Sequence, residues 1–599
     1  MTSPRGPGAA AGDDVKAVPA GGADAAAANG AAGNGAAGGG PVAAATSQPD
    51  AGSAGSAVAE ARTGQAQAVD TRTPSNAGPD APATAAPGQP DRPSDKPGRE
   101  VHQSGGYQPG PVWARWLPPV VGFLISFWHI AGASFWRDEA ATIAAVKRPL
   151  GDLIKMLGNV DAVHGAYYLM MWPIEHVAGQ GALVLRFPSA VAVAIGAAFV
   201  AALGRRLISP WAGLAAGLLY AVIPVTSRYG QEARSYAMVM TVAAISSYLL
   251  VRMLSAEPER QRRWLAGYGA SIAVLGILNI FGLLLLPAHA VTMALYCRRG
   301  LHEQALRRLA IGWLTAVVAG VVVASPLLVL GFLQRGQIAW LGVNTSSSGL
   351  HTLFSLSGSY LVTTSLLIVI AVALILSTEK SREKRQAEWP GRLVQLSLPW
   401  LVVPPLLLLA ASTVQPVYTS RYILLSIPAL ALIGGVAIAS YGRIVGTIAL
   451  GIMLIVGVPT QLGQRMEGGH FDDIRAIDRI VAARAQPGDV ILYTNPNAES
   501  FGAAYSFGLG KLRNIALKQG PIPSGTLAGT DVSISALKSR LKHVNRVWIV
   551  EINRLQTDPL LLGLNGLPRS PIPVMDGSPL SFRNYWHEHG DFLVLYSRS

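Results

Sequence analysis

Eleven apolar runs, each close to the length that crosses the hydrocarbon core of a bilayer, decide what this chain can fold into. A helix rises 1.5 Å per residue, so about 20 apolar residues cover a core about 30 Å thick. The runs lie near residues 114–134, 183–204, 210–226, 235–254, 264–278, 281–297, 309–331, 359–378, 393–412, 421–440 and 443–461. Inside lipid a helix satisfies its own backbone polar groups. The runs therefore predict an all-α polytopic domain over residues 112–462 with about 11 transmembrane helices. A chain of 599 residues that is 50% hydrophobic and only 14% charged fits neither a soluble globule nor a disordered protein. The single cysteine, Cys297, excludes an intramolecular disulfide and a cysteine metal cage.

Different material flanks the runs. The first hundred residues contain no Leu, Ile, Phe, Trp or Tyr and are dominated by Ala, Gly and Pro. Such a segment cannot bury enough apolar surface to offset its ordering entropy, so residues 1–111 are expected to be a disordered tail. The tail lacks an apolar core and does not read as a signal peptide. Residues 463–599 change texture again. "FDDIRAIDRIVAARAQPGDVILYTNPNAESFGAA" reads as helix, turn, strand and helix, and "RVWIVEIN" and "DFLVLYSRS" as further buried strands. This predicts a small α/β domain without a P-loop or a G-x-G-x-x-G fingerprint.

The net charge of +14 sits in short clusters between apolar runs, which favours a topological cause over nucleic-acid binding. "GRRL" at 204–207, "EPERQRRW" at 257–264, "CRRGLHEQALRR" at 297–308 and "EKSREKRQAEWPGR" at 379–392 hold most of the loop Lys and Arg. Cytoplasmic loops collect these residues. The tail is then cytoplasmic, the C-terminal domain extracytoplasmic, and the protein a multi-pass component of the plasma membrane. The first outer loop carries Leu, Ile and Met at helical spacings between polar residues, which predicts one or two interfacial helices within 138–180.

Polar residues gather at the outer ends of the runs. The first loop offers Asp138, Glu139, Asp161 and His164; the turn after the third run offers Arg228, Gln231, Glu232, Arg234 and Tyr236; the turn before the tenth offers Tyr418, Arg421 and Tyr422. A transporter concentrates such groups near the midplane, so one water-facing surface suits chemistry on a lipid-linked head group instead. A carboxylate can act as general base toward a hydroxyl, and guanidinium forks suit a phosphate. Adjacent helical residues point about 100° apart, so Asp138 and Glu139 serve different tasks. Asp138 is the candidate base, and Glu139 pairs with an arginine or helps hold a metal. Asp138, Glu139 and His164 form a candidate set for a divalent cation, Mg or Mn. The bland readings are a helix N-cap for the acidic pair, a surface pair for Asp161 and His164, a Glu232–Arg234 structural ion pair, a snorkelling anchor for Arg421, and interfacial belt rings for Tyr167, Tyr168, Tyr418 and Tyr422.

"WRDEAAT", "DAVHGAYYLMMW", "YGQEARSYAM" and "QPVYTSRYILLSIPAL" together resemble the GT-C glycosyltransferases, in particular bacterial relatives of protein mannosyltransferases and of the lipid A aminoarabinose transferase. The resemblance runs over residues 112–460. It implies Asp138 as the catalytic acidic residue, with Glu139 beside it. It implies Asp161, His164, Tyr167, Glu232, Arg234 and Tyr236 in the substrate site, and Arg421 with Tyr422 at the lipid phosphate. Gly165 and Ala166 replace the family's usual small-proline pair, which leaves the role of His164 less defined. The activity so implied is inverting transfer of a monosaccharide, mannose-like by preference, from a polyprenyl-phosphate donor. The acceptor would be a hydroxyl of a cell-envelope glycan, glycolipid or protein. The rival readings are a transporter or flippase for a lipid-linked glycan and a non-catalytic scaffold.

Overall fold

The computed structural model describes residues 111–298, 304–338, 356–380, 389–415, 417–495, 498–551, 575, 577–588 and 591–598. The tail before residue 111 and the basic stretch 381–388 lie outside them.

Each predicted run overlaps helix. Seven helices among the described residues are long and apolar enough to cross a membrane. They include α5 (Ala182–Leu207), α8 (Tyr236–Leu254) and α11 (Gln304–Leu333). The broken pair α6 (Pro210–Val222) and α7 (Pro224–Gly230), bent by 61°, makes an eighth crossing if counted as one. The break has a local cause. Pro224 disfavours the helical region for the residue before it, and Ile223 takes ψ 122°. The turn expected at 227–235 is thus partly a helix. The pair predicted at 264–297 is α9 (Pro258–Leu278) followed by a 3₁₀ turn and α10 (Leu285–Cys297), with the Asn279 side chain accepting from the Phe281 N–H at 2.9 Å. His289, buried within α10, has both ring nitrogens engaged by the hydroxyls of Ser247 and Tyr268 at 3.0 and 2.9 Å. It reads as a satisfied core group.

The first run departs from expectation. Its helix α1 covers Trp113–Phe127 only, and the chain to Trp136 is irregular. Carbonyls released from helical bonding need other donors. Arginines supply them: Arg186 donates to the carbonyls of Ile130, Ala133 and Ser134, Arg475 to Gly132 and Ala133, and Arg465 to Ile125 and Trp128. Where one or two interfacial helices were expected the chain forms three helices: α2 (Arg137–Val146), α3 (Leu150–Asn159) and α4 (Gly165–Ala178). Pro149 and Asp161, the latter in the left-handed region at φ 58°, divide them.

Beyond the helix Arg443–Gly463, a five-stranded sheet runs in the order Arg513–Asn514, Val490–Tyr493, Arg546–Glu551, Asp591–Arg598, Leu580–Glu588. The first three strands are parallel and the last two antiparallel. Side chains alternate between its faces. Ile491, Tyr493, Trp548 and Leu593 share a buried cluster with α2–α4, while Val490, Leu492, Val547 and Ile549 pack toward Leu537 and Leu541. The sheet therefore presses the interfacial helices onto the bundle. Within the bundle, Gly435 lies so close to Ala216 of α6 that a Cβ would clash with its backbone, which is how the helix Ile427–Ser440 comes near.

Candidate active site

Three turns far apart in sequence meet at one end of the bundle. Asp138, in the first turn of α2, points its carboxylate at two cations. Arg421, at the start of the 3₁₀ turn Ser420–Ser426, donates to Asp138 Oδ2 at 2.5 Å. Arg234, in the turn between α7 and α8, brings a guanidinium nitrogen to 4.0 Å from Oδ1. The three side chains are mostly buried, at 18%, 13% and 5% exposure. Burial alone would raise the Asp138 pKa; Arg421 and then Arg234 outweigh it and hold the carboxyl below its usual range. The cations are not fully used. Nε of Arg421, Nε of Arg234 and the indole N–H of Trp136 are buried without a hydrogen-bond partner. Buried donors left unmade are costly, so these three are open to an acceptor.

Glu139 faces the other way and is fully buried. Both oxygens accept from Arg186 of α5 at 2.7 Å, and Oε1 also accepts from the Ala233 N–H at 2.9 Å. His470 Nδ1 lies 3.7 Å from Oε2. Burial opposes ionisation, but Arg186 and then His470 hold Glu139 well below the carboxylate range. With its oxygens spent on structure, Glu139 does not stand with Asp138 as a catalytic group. It ties α2 to α5 and to the turn carrying Arg234. Asp472 fixes the start of α2 from the other side, receiving Arg137 through a bidentate pair at 2.8 and 3.2 Å and its backbone N–H at 2.9 Å. The neighbouring Asp473 caps the helix Ile474–Arg484.

The remaining candidates divide. Tyr168 bridges the site: its hydroxyl donates to Asp161 Oδ2 at 2.5 Å and accepts from Arg234 at 2.7 Å. This fully buried ring is no interfacial belt residue. His164 Nε2 is 4.0 Å from Asp161 Oδ1, and burial, then Arg234, lower its pKa to about 4, so the ring is neutral at pH 7. Glu232 pairs with Arg228 at 2.6 Å rather than with Arg234. Its other oxygen is unpartnered, and burial raises its pKa to about 7 against the pull of Arg228. Tyr236 is buried beside Tyr229, ring centroids 5.4 Å apart. Tyr422 stacks on Phe281 at 3.8 Å, and Tyr418 is buried. Tyr167 is fully buried in the apolar cluster that includes Ala140 and Ile143 of α2. Gln231 donates to the Trp128 carbonyl at 2.7 Å, a structural contact.

Comparison with known proteins bears on the fold that carries these residues. Residues 166–330 match the family model for dolichyl-phosphate-mannose-protein mannosyltransferases. The structure of ArnT from Cupriavidus metallidurans in the apo state is similar at a TM-score of 0.53 and 12% identity, over 80% of this chain and 97% of that one. The same protein bound to undecaprenyl phosphate gives 0.53 and 11%, with the same coverage. The chain has the GT-C fold. No curated protein sequence matches it.

On this GT-C scaffold the donor set around Asp138 is cationic, which suits an anion better than a divalent metal. Of the predicted metal trio, Glu139 is turned to Arg186 and His164 stands 4.0 Å from Asp161. Among the described residues no group of three His, Cys, Asp or Glu gathers as a ligand set. Sequence reasoning missed Arg186, His470, Asp472 and the role of Trp136. Arg186 did leave a signal: a lone arginine in the apolar run "LVLRFPSA" requires a buried partner. Phe471 adds a feature of the GT-C rim. It is a bulky residue at φ 84°, held out to solvent between two buried neighbours, with its ring 5.9 Å from that of Trp136.

Proposed function

We propose that the chain transfers a monosaccharide, mannose-like by preference, from a polyprenyl-phosphate donor to a hydroxyl of a cell-envelope acceptor, with inversion, at the outer face of the plasma membrane. One observation carries the reading: a single carboxylate, Asp138, is clasped by Arg421 and Arg234, and both arginines retain an unpartnered buried Nε. Asp138 takes the proton of the acceptor hydroxyl. The hydroxyl oxygen bonds to the anomeric carbon, whose bond to the phosphate oxygen breaks, and the electron pair leaves on the lipid phosphate. Arg421 and Arg234 stabilise the charge that develops there. The family match and the undecaprenyl-phosphate complex of ArnT support a lipid-phosphate donor. The crowding of basic residues at the opposite end of the bundle supports an outer location for the site.

Donor binding also prepares the base. An incoming phosphate competes with Asp138 for both guanidinium groups, and once they are engaged the carboxylate loses the neighbours that hold its pKa down. Its basicity then rises toward the ordinary range. The sign is explicit: the base works only when deprotonated, so activity falls as pH drops through its pKa. The acid limb of kcat/KM, which reports the free enzyme, should lie below the usual carboxylate range, and that of kcat at higher pH. Coincident limbs in a pH series with polyprenyl-phosphate mannose would refute the coupling.

Arg421→Gln removes charge while preserving length. Transfer of labelled mannose from the polyprenyl phosphate should fall about 10²–10³-fold, as for a lost transition-state donor. A variant within a few-fold of wild type would show that the phosphate sits elsewhere.

A further inference from the structure

An apolar cavity lies at the opposite end of the bundle from Asp138. It holds about 180 Å³ between the C-terminal ends of α5, α8 and α10 and the start of the helix Trp389–Ser412. The 20 residues of α5 between Arg186 and Arg206 place it about 30 Å from the candidate active site. Its walls are apolar, formed by Leu207, Val251, Leu254 and Leu396. Two of the polar groups that line its interior are engaged. Thr292 Oγ1 donates to the carbonyls of Ala288 and Gln395, and the Tyr296 hydroxyl donates to that of Leu254. The interior therefore has little to offer water or a polar ligand and suits hydrocarbon. The rim is cationic: half-buried Arg206, whose guanidinium donates to Ser255 Oγ at 3.1 Å, and exposed Arg392. Both belong to basic clusters that the proposed transfer chemistry does not use.

We propose that this cavity is a binding site for an anionic glycerophospholipid of the surrounding membrane. The phosphodiester rests on Arg206 and Arg392, and a stretch of acyl chain enters the apolar space. Charge selects the occupant. Two arginines beside an apolar slot match a lipid that joins a negative head to hydrocarbon, whereas a zwitterionic lipid adds an ammonium that the rim repels. The site is independent of the transferase reading, because no residue is shared.

The test uses the full chain purified in detergent, with native mass spectrometry counting retained lipid and thermal unfolding as a second readout. Wild type should retain phosphatidylglycerol over phosphatidylcholine by about fivefold per rim arginine. The double variant Arg206→Gln, Arg392→Gln should bring the two lipids to near parity. Leu396→Trp, which fills the slot but keeps both charges, should lose the preference too. Arg443→Gln, an exposed arginine at the same end outside the cavity, should keep it. Equal retention of the two lipids by wild type overturns the proposal without any variant having to fold. So does a double variant that keeps the preference, or inorganic phosphate that stabilises wild type as well as the lipid does.

Discussion

Asp138→Asn is expected to lower sugar transfer by about 10²–10⁴-fold, the range supplied by a positioned general base. The amide has nearly the volume of the carboxylate and can still accept a hydrogen bond from Arg421, which reaches this position at 2.5 Å. The fold should therefore survive. Binding of the free lipid phosphate should not weaken and should tighten, because the substitution removes an anion that competes for Arg421 and Arg234. This split between chemistry and binding separates a catalytic base from a structural ion pair. Were Asp138 only a structural partner of the two arginines, the substitution would lower stability while the folded protein still transferred sugar near the wild-type rate. The assay is transfer from labelled polyprenyl-phosphate mannose, with lipid-phosphate affinity measured on the same preparation.

The second large effect is on stability. Glu139→Ala strands Arg186, and both side chains are completely buried. Breaking a buried pair by removing one partner costs about 3–5 kcal/mol. The loss should appear as a fall in the thermal unfolding midpoint of the purified protein. Replacing the pair by Leu and Met should recover only part of it, since Arg186 also binds the carbonyls of Ile130, Ala133 and Ser134. Glu139→Ala with an unchanged midpoint would mean that the irregular 128–136 segment is held by other contacts. These two neighbours, one residue apart, should thus fail in different ways.

The sequence revealed the helical skeleton because membrane burial imposes one uniform demand, about 20 apolar residues per crossing, that can be read locally. The broken third crossing was missed although Pro224 stood in view, because hydropathy alone does not register a lost backbone donor. The split of labour between Asp138 and Glu139 followed from helical geometry, but their partners did not. Arg421 is 283 residues from Asp138 and Asp472 is 335 from Arg137, separations that no periodicity records. "HFDDIR" could be read only as a helix start, whereas four of its polar residues reach back to α2 or the loop before it: His470 beside Glu139, Asp472 on Arg137, Asp473 accepting from Ser134 and Arg475 on the 132–133 carbonyls. Tyr168 was equally opaque, since an aromatic at a span end has the same sequence appearance whether it anchors in lipid or bridges Asp161 and Arg234. What remained hidden was the set of long-range polar contacts that fix the site, not the elements that carry it.

The most direct test of the account is a structure of the full chain with a polyprenyl phosphate bound. The phosphate should lie within hydrogen-bond distance of Arg421 and Arg234, near the Trp136 indole, with the Asp138 carboxylate released from Arg421. A phosphate bound elsewhere, with the Asp138–Arg421 contact still closed, would contradict it.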